Sequence, residues 1–338
     1  MRILIVDGHA YAYRAFYAIR SLSSPEGKPT NAIYGFIKML GKMRATVNPS
    51  HLIVVWDGGL SAERREALPG YKAQRPEMPA DLGTQLDEIV EYLSAANVAS
   101  YCADGVEADD YIGFVTQEAA KAGLEVVIAS ADKDFMQLVT PEAATGGEDG
   151  SSVLGLGSGS TAQTPDPRPQ TLNSRLGRVG LLNPNDKSET IWTAKQVRNK
   201  TGVEPEQIGD WLSLLGDSVD NIPGVPGVGP KTATDLLKQF GSVAELYRRI
   251  DEVKSERIRA ALKLAEADVR RNQSLVRLKT EVGKEFSADA LVVKTADVER
   301  LMELYRGWGF RSMLAELEAA QVRVAAATQR AGVQQELI

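Results

Sequence analysis

The chain has 338 residues, room for about two domains at roughly 150 residues each. Its 43% hydrophobic and 25% charged residues are ordinary globular usage, which excludes wholesale disorder and fibrous repeats. Thirty-nine basic against 45 acidic residues leave a net charge of −6, so any charge for nucleic acid has to be local.

One cysteine, Cys102, excludes an internal disulfide and a cysteine-rich zinc site, and two histidines leave little for imidazole ligation. Any metal should be a hard one held by oxygen. No apolar run approaches the ~18 residues of a membrane span, and the opening MRILIVDGHAYAYR reaches an aspartate too early for a secretory segment. The expectation is a soluble cytoplasmic monomer with no membrane partner.

In chain order, Ile3 to Val6, Leu52 to Trp56, Val98 to Cys102 and Glu125 to Ala129 read as buried parallel strands. Helical patterns lie between them at Ala32 to Ala45, Asp81 to Ala96 and Asp109 to Ala122, so the class is α/β with a parallel sheet. From Thr140 the sequence turns rich in Gly, Ser, Thr and Pro and reads as a flexible insertion, residues 140–183. Its GLGSGS piece lacks the strand and helix of a dinucleotide-phosphate loop. Helices are expected at Ala194 to Lys200, Glu206 to Leu215, Lys231 to Gln239, Val243 to Arg249, Lys254 to Ala265 and Val298 to Tyr305. The expected domains are an α/β part over 1–139 with a distinct segment at about 60–80, the insertion, a completing helical part over 184–314, and a helical tail over 315–338.

All four strands run into carboxylates: Asp7 follows the first, Asp57 the second, Glu107, Asp109 and Asp110 the third, and Asp132 and Asp134 the fourth. The carboxyl ends of parallel strands share one edge, where ligands bind in such sheets, so the acids should converge. Each aspartate alone is equally well read as turn or N-cap chemistry. Together they repel: two anions 4 Å apart cost ~4 kcal/mol at an effective dielectric of 20, so the cluster needs cations or protons. Oxygen-rich, histidine-poor sites suit Mg²⁺ or Mn²⁺, and paired ions serve phosphodiester hydrolysis.

Asp217 to Thr232 (DSVDNIPGVPGVGPKT) places two aspartates three apart ahead of glycines at 224, 227 and 229 and a helix opening near Lys231. Glycines let backbone N–H groups approach an anion, and a helix N-terminus favours it. Pro230 between Gly229 and Lys231 excludes a Walker A loop; the pattern is a helix-hairpin-helix, with a plain interhelical turn as the alternative. Arg248, Arg249, Lys254, Arg257, Arg259, Lys263, Arg270 and Arg271 supply positive charge nearby, though a solvated helix face explains them as well. Between strands two and three, Arg64, Arg65, Tyr71, Lys72 and Arg75 form either a phosphate-steadying segment or an ordinary polar loop.

The blocks LIVDGHAYAYRAFYAI, TNAIYGF, VVWDGG, RREALPGYKAQRP, GVEADDYIG, SADKDFMQL, GDSVDNIPGVPGVGPKTA and WGFRSML, spanning about Arg2 to Leu314, resemble the 5′-nuclease family. They are most similar to the 5′–3′ exonuclease domain of bacterial DNA polymerase I, a relative of flap endonucleases. The resemblance implies a PIN-like, mostly parallel sheet flanked by helices, with a C-terminal helix-hairpin-helix region. It implies a DNA hydrolase with two Mg²⁺ ions, replaceable by Mn²⁺, that cuts near 5′ ends at flaps, nicks or primer junctions in replication and repair. Asp7, Asp57, Glu107 and Asp109, with Asp110 close by, would take one ion; Asp132, Asp134, Asp217 and Asp220 the other. Lys72 and Arg75 match a catalytic basic pair at the scissile phosphate, Tyr71 a base-stacking aromatic and Arg64 a DNA backbone contact. Gly227, Gly229, Lys231 and Thr232 match the duplex-gripping hairpin, which in many relatives also holds potassium. A DNA polymerase or ligase is the implied protein partner.

Two features depart from the family: the long segment after Thr140, expected to loop out without moving Asp217 and Asp220, and the absence of a polymerase part. A stand-alone nuclease and a shortened piece of a longer protein both stay open. The same fold acting on RNA or RNA–DNA junctions, or a silent DNA-binding scaffold, are the alternatives; the presence of every matched carboxylate speaks against decay.

Overall fold

The structure is a computed structural model and describes residues 1–141, 177–186, 188, 190–282 and 285–335, with side chains described to Arg323. Most of the expected insertion, including GLGSGS, lies outside the described residues. β1 (Arg2–Asp7) leads directly into α1 (Gly8–Ala18), followed by α2 (Asn31–Val47), β2 (His51–Val55), the short α3 (Ala62–Ala67), α4 (Ala80–Ala95), β3 (Ala99–Tyr101), α5 (Ala108–Lys121) and β4 (Glu125–Ala129). After a 3₁₀ turn (Asp134–Leu138) come β5 (Val179–Leu182) and β6 (Ile191–Trp192). The rest is helical: α6 (Ala194–Thr201), α7 (Ile208–Leu215), α8 (Pro230–Phe240), α9 (Val243–Arg248), α10 (Glu256–Leu264), α11 (Glu266–Val276), α12 (Val298–Trp308) and α13 (Arg311–Gln335).

The sheet has the order β3-β2-β1-β4-β5-β6, parallel except for β6. Because side chains alternate across a strand, Ile3, Ile5, Ile53, Val55, Val126 and Ile128 enter one core, shared with α5, α7, α8 and α11. Leu4, Val6, Leu52, Val54, Val127 and Ala129 enter the other, shared with α1, α2, α4 and α12. Helices on both faces are why these strands read as unbroken apolar runs.

All four expected strands form, as do the expected helices between and after them. The insertion boundary is corrected, since β5 lies inside 140–183. β5 is sewn to the end of the 3₁₀ turn: Thr140 donates its N–H to the Val179 carbonyl at 3.0 Å, and Val179 donates to Thr140 Oγ1 at 2.7 Å. The segments α1, α3 and β6 were not anticipated, and α11 was expected only as part of a helical stretch without bounds.

From β1 the chain moves outward to β2 and β3, then returns to the other side of β1 for β4. The crevice between the carboxyl ends of β1 and β4 is therefore the topological switch point, where open α/β sheets bind ligands. Two glycines fix its surroundings. A Cβ on Gly58 would lie 1.8 Å from the Ala103 carbonyl oxygen, so the loops after β2 and β3 lie backbone on backbone. Gly216 ends α7 at φ +69°, turning the chain into a tight loop closed by reciprocal Asp217–Ile222 backbone bonds of 2.8 and 2.7 Å.

Candidate active site

Acids from five separate stretches meet around the switch point. Asp7 ends β1 and caps α1: its Oδ1 accepts the Ala10 N–H at 3.0 Å, and its Oδ2 accepts the Ser130 hydroxyl at 2.8 Å. Burial, helped by repulsion from Asp132 and Asp57, pushes its carboxyl up to about 6, against two hydrogen bonds that favour the ionised form. Asp109, in the first turn of α5, is raised well above the carboxylate range by burial and then by Asp132, Asp7 and Asp134, against the pull of Lys72. Asp132 and Asp134 are raised for the same two reasons, with Asp217 and Asp220 among the repelling groups. Asp57 sits just past β2, where its backbone N–H donates to His9 Nδ1 at 3.0 Å. Asp7, Asp57, Asp109, Asp132 and Asp217 are thus connected through one another's repulsion.

The expected metal ligands separate into two groups. Glu107 and Asp110 are committed to cations. Glu107 Oε1 accepts the Ser61 N–H at 2.9 Å, while Oε2 accepts Arg64 at 2.5 Å, Lys72 at 3.0 Å and the Tyr71 hydroxyl at 3.2 Å. Burial would raise Glu107, but Lys72, Arg64 and the Ser61 N–H outweigh it and hold the group below its usual value. Asp110 Oδ1 accepts Arg64 at 2.6 Å and the Lys279 N–H at 2.9 Å. At the rim, Arg75 holds Asp220 at 2.6 Å and Lys133 holds Asp217 at 3.1 Å. Among the described residues no cationic side chain comes within 4 Å of Asp7, Asp57, Asp132 or Asp134.

Among the described residues, no three acidic, histidine or cysteine side chains are drawn together tightly enough to enclose an ion. The fit to a cation rests on electrostatics. A buried Asp7 beside half-buried Asp109, Asp132 and Asp134, repelling one another with only Lys72 near Asp109 and Lys133 beside the other two, is what a divalent, oxygen-seeking ion neutralises.

The basic segment is placed differently from the expectation. Arg64 is only 4% exposed, so it clamps Glu107 and Asp110 from inside rather than touching a DNA backbone. Tyr71, at 4%, packs its ring in the core and spends its hydroxyl on Glu107 instead of offering a stacking face. Lys72 is 5% exposed and sits at φ 55°, a left-handed conformation costly for a non-glycine residue. That conformation is pinned by its N–H donating to the Asp220 carbonyl at 3.0 Å and by Asn221 Nδ2 donating to the Gly70 carbonyl at 2.8 Å. Arg75 stays partly exposed at the rim.

The hairpin matches its expectation in shape. Val225 and Val228 are buried anchors, while Gly227 and Lys231 are exposed and Gly229 and Thr232 half-buried ahead of and within the first turn of α8. Most of the basic helical stretch is neutralised on its own surface: Arg248 pairs with Glu245, Arg249 with Glu252, Lys263 with Asp251, Arg270 with Glu266 and Arg271 with Asp268. That is the solvated-face alternative. Lys254 and Arg257 have no carboxylate within 4 Å among the described residues, and Arg257 lies over Gly227.

The sequence reading passed over Ser130, His9 and Lys133. Each adjoins an acid in sequence, at Asp132, Asp7 and Asp134, and that adjacency is the signal that was available.

Comparison with known proteins gives the fold and the family. Residues 2–151 match the family profile of the 5′-3′ exonuclease N-terminal resolvase-like domain, and residues 203–299 that of the 5′-3′ exonuclease C-terminal SAM fold. A 5′-3′ exonuclease of Aquifex aeolicus is 33% identical over 316 residues, 94% of this chain and 95% of that protein. DNA polymerase I of Bacillus subtilis is 34% identical over 316 residues, again 94% of this chain but 32% of the polymerase, so the chain spans about a third of that relative. Among solved structures, T5 5′-exonuclease with zinc bound superposes with a TM-score of 0.60 at 22% identity, covering 91% of this chain and 99% of that one. A T5 D15 flap endonuclease complex with DNA and metal ions gives 0.60 at 20% identity, covering 96% and 100%. The architecture is therefore that of the flap-endonuclease-like nucleases. Within that class, the chain belongs to the 5′–3′ exonuclease family.

Proposed function

We propose that the chain hydrolyses DNA phosphodiesters near 5′ ends, at flaps, nicks or primer junctions, with two divalent cations, Mg²⁺ in the first instance. The setting would be primer removal and repair, alone or beside a polymerase activity. The observation that carries this reading is the meeting of buried Asp7 with half-buried Asp109, Asp132 and Asp134 at the switch point, mutually repelling and with fewer positive groups than carboxylates around them. The ions would be held by Asp7, Asp57, Asp109, Asp132, Asp134, Asp217 and Asp220. When bound, they supply Lewis-acid charge for the phosphodiester and activation of water. Glu107 and Asp110 act one step back, keeping Arg64 and Lys72 in place. Arg75, partly exposed at the rim, is the basic group best placed to meet a phosphate, with Lys72 behind it. The N-terminus of α8, with Gly227, Gly229, Lys231 and Thr232, would hold duplex backbone without reading bases.

A labelled 5′-flap duplex incubated with Mg²⁺, with EDTA, and with Asp132→Ala tests this. Mg²⁺-dependent cleavage, lost with EDTA and lowered at least 100-fold by Asp132→Ala, is expected. Cleavage that persists in EDTA would falsify the metal mechanism. A matched RNA 5′ end cut faster than DNA would move the substrate to RNA.

A further inference from the structure

We propose that Ser130 is a positioning residue for the acidic centre, locking Asp7 and Asp132 into one arrangement across the switch point; this rests on the metal reading above. Ser130 is fully buried in the turn that follows β4. Its Oγ accepts the Asp132 N–H at 3.1 Å, so its single hydroxyl proton is left for Asp7 Oδ2, at 2.8 Å. Asp132 Oδ1 in turn accepts the Asp134 N–H at 2.9 Å, and Asp7 Oδ1 accepts the Ala10 N–H. One chain of hydrogen bonds thus runs from the first turn of α1 through Asp7 and Ser130 to Asp132 and Asp134.

A hydroxyl that served only its own turn would need the Asp132 N–H and nothing more. The bond to Asp7 reaches 123 residues back in sequence to the neighbouring strand end. It ties the Asp7 carboxylate to the backbone of the turn that carries Asp132, against the repulsion between the two acids, and leaves each Asp7 oxygen a lone pair for an ion. Groups that orient metal ligands in this way typically govern affinity by 10–100-fold.

The test follows thermal unfolding of the EDTA-stripped full chain while Mn²⁺, and separately Mg²⁺, is titrated back. Ser130→Ala is expected to move the half-stabilising metal concentration up by about 10–100-fold. Ser130→Thr, which keeps the hydroxyl, should return it to within about threefold of the unmodified chain, a rescue that a packing role would not produce. The proposal is overturned if Ser130→Ala takes up metal at the original concentration, or if Ser130→Thr is displaced as far as Ser130→Ala. If neither ion stabilises the unmodified chain at millimolar concentration, the metal reading itself falls and this inference with it. That result is distinct from metal binding that is intact and indifferent to Ser130.

Discussion

Removing the Arg64 side chain separates two accounts of the basic segment. A residue that contacts DNA from the surface can be cut back with little effect on folding. In this structure Arg64→Ala would instead strand Glu107 and Asp110, whose side chains are 0% and 6% exposed and lose contacts of 2.5 and 2.6 Å. Breaking one partner out of a buried ion pair costs about 3–5 kcal/mol. Lys72 still reaches Glu107 and the Lys279 N–H still reaches Asp110, so the lower end, about 3 kcal/mol, is the expectation. Urea denaturation at pH 7 measures it, and Arg64→Ala combined with Glu107→Gln should cost less than the single change and the Glu107→Gln change added together. The pH dependence has a definite sign. Glu107 is held below its ordinary value, so its contribution is present above the unfolded carboxylate range and lost as pH falls through the folded value. The deficit of Arg64→Ala should therefore shrink under acid conditions. A loss below about 1 kcal/mol, together with weakened duplex binding, would refute the buried-clamp account and restore the surface contact.

Two further outcomes follow from the site and the hairpin. Asp134→Asn removes a half-buried, repelled charge, so the metal-free protein should gain stability on the order of 1 kcal/mol while losing cleavage, measured by urea melts in EDTA beside the flap assay. Lys231→Ala should weaken binding to uncut duplex and reduce the magnitude of the log affinity against log salt slope by about 0.9, with single-turnover cleavage of bound substrate little changed.

The parts of this arrangement that were legible in the sequence are those fixed by local pattern. Buried strands show as apolar runs, and an aspartate at the end of each shows where it will stand, because parallel strands end on one edge. What could not be read was how the charges choose partners. Glu107 is captured by Arg64 and Lys72 from 43 and 35 residues away, and nothing at Glu107 itself distinguishes a counter-ion from a ligand. β5 was hidden for another reason. Gly177 just before it and Gly180 within it looked like linker, yet a Cβ on Gly177 would lie 1.6 Å from the Leu124 carbonyl oxygen and one on Gly180 would lie 2.5 Å from Ile191. They are present for close packing. The bounds of α11 were not legible because its polar sequence buries Asn272, whose amide donates to the Ser213 and Pro223 carbonyls at 3.1 and 2.7 Å.

The stitch between Thr140 and Val179 sets the end of the 3₁₀ turn against the first residue of β5. Val179–Leu182 is thereby anchored at its start and in register with Val126–Ala129. The chain that runs on to Asp217 and Asp220 therefore sets out from a fixed edge beside the strand that delivers Asp132 and Asp134.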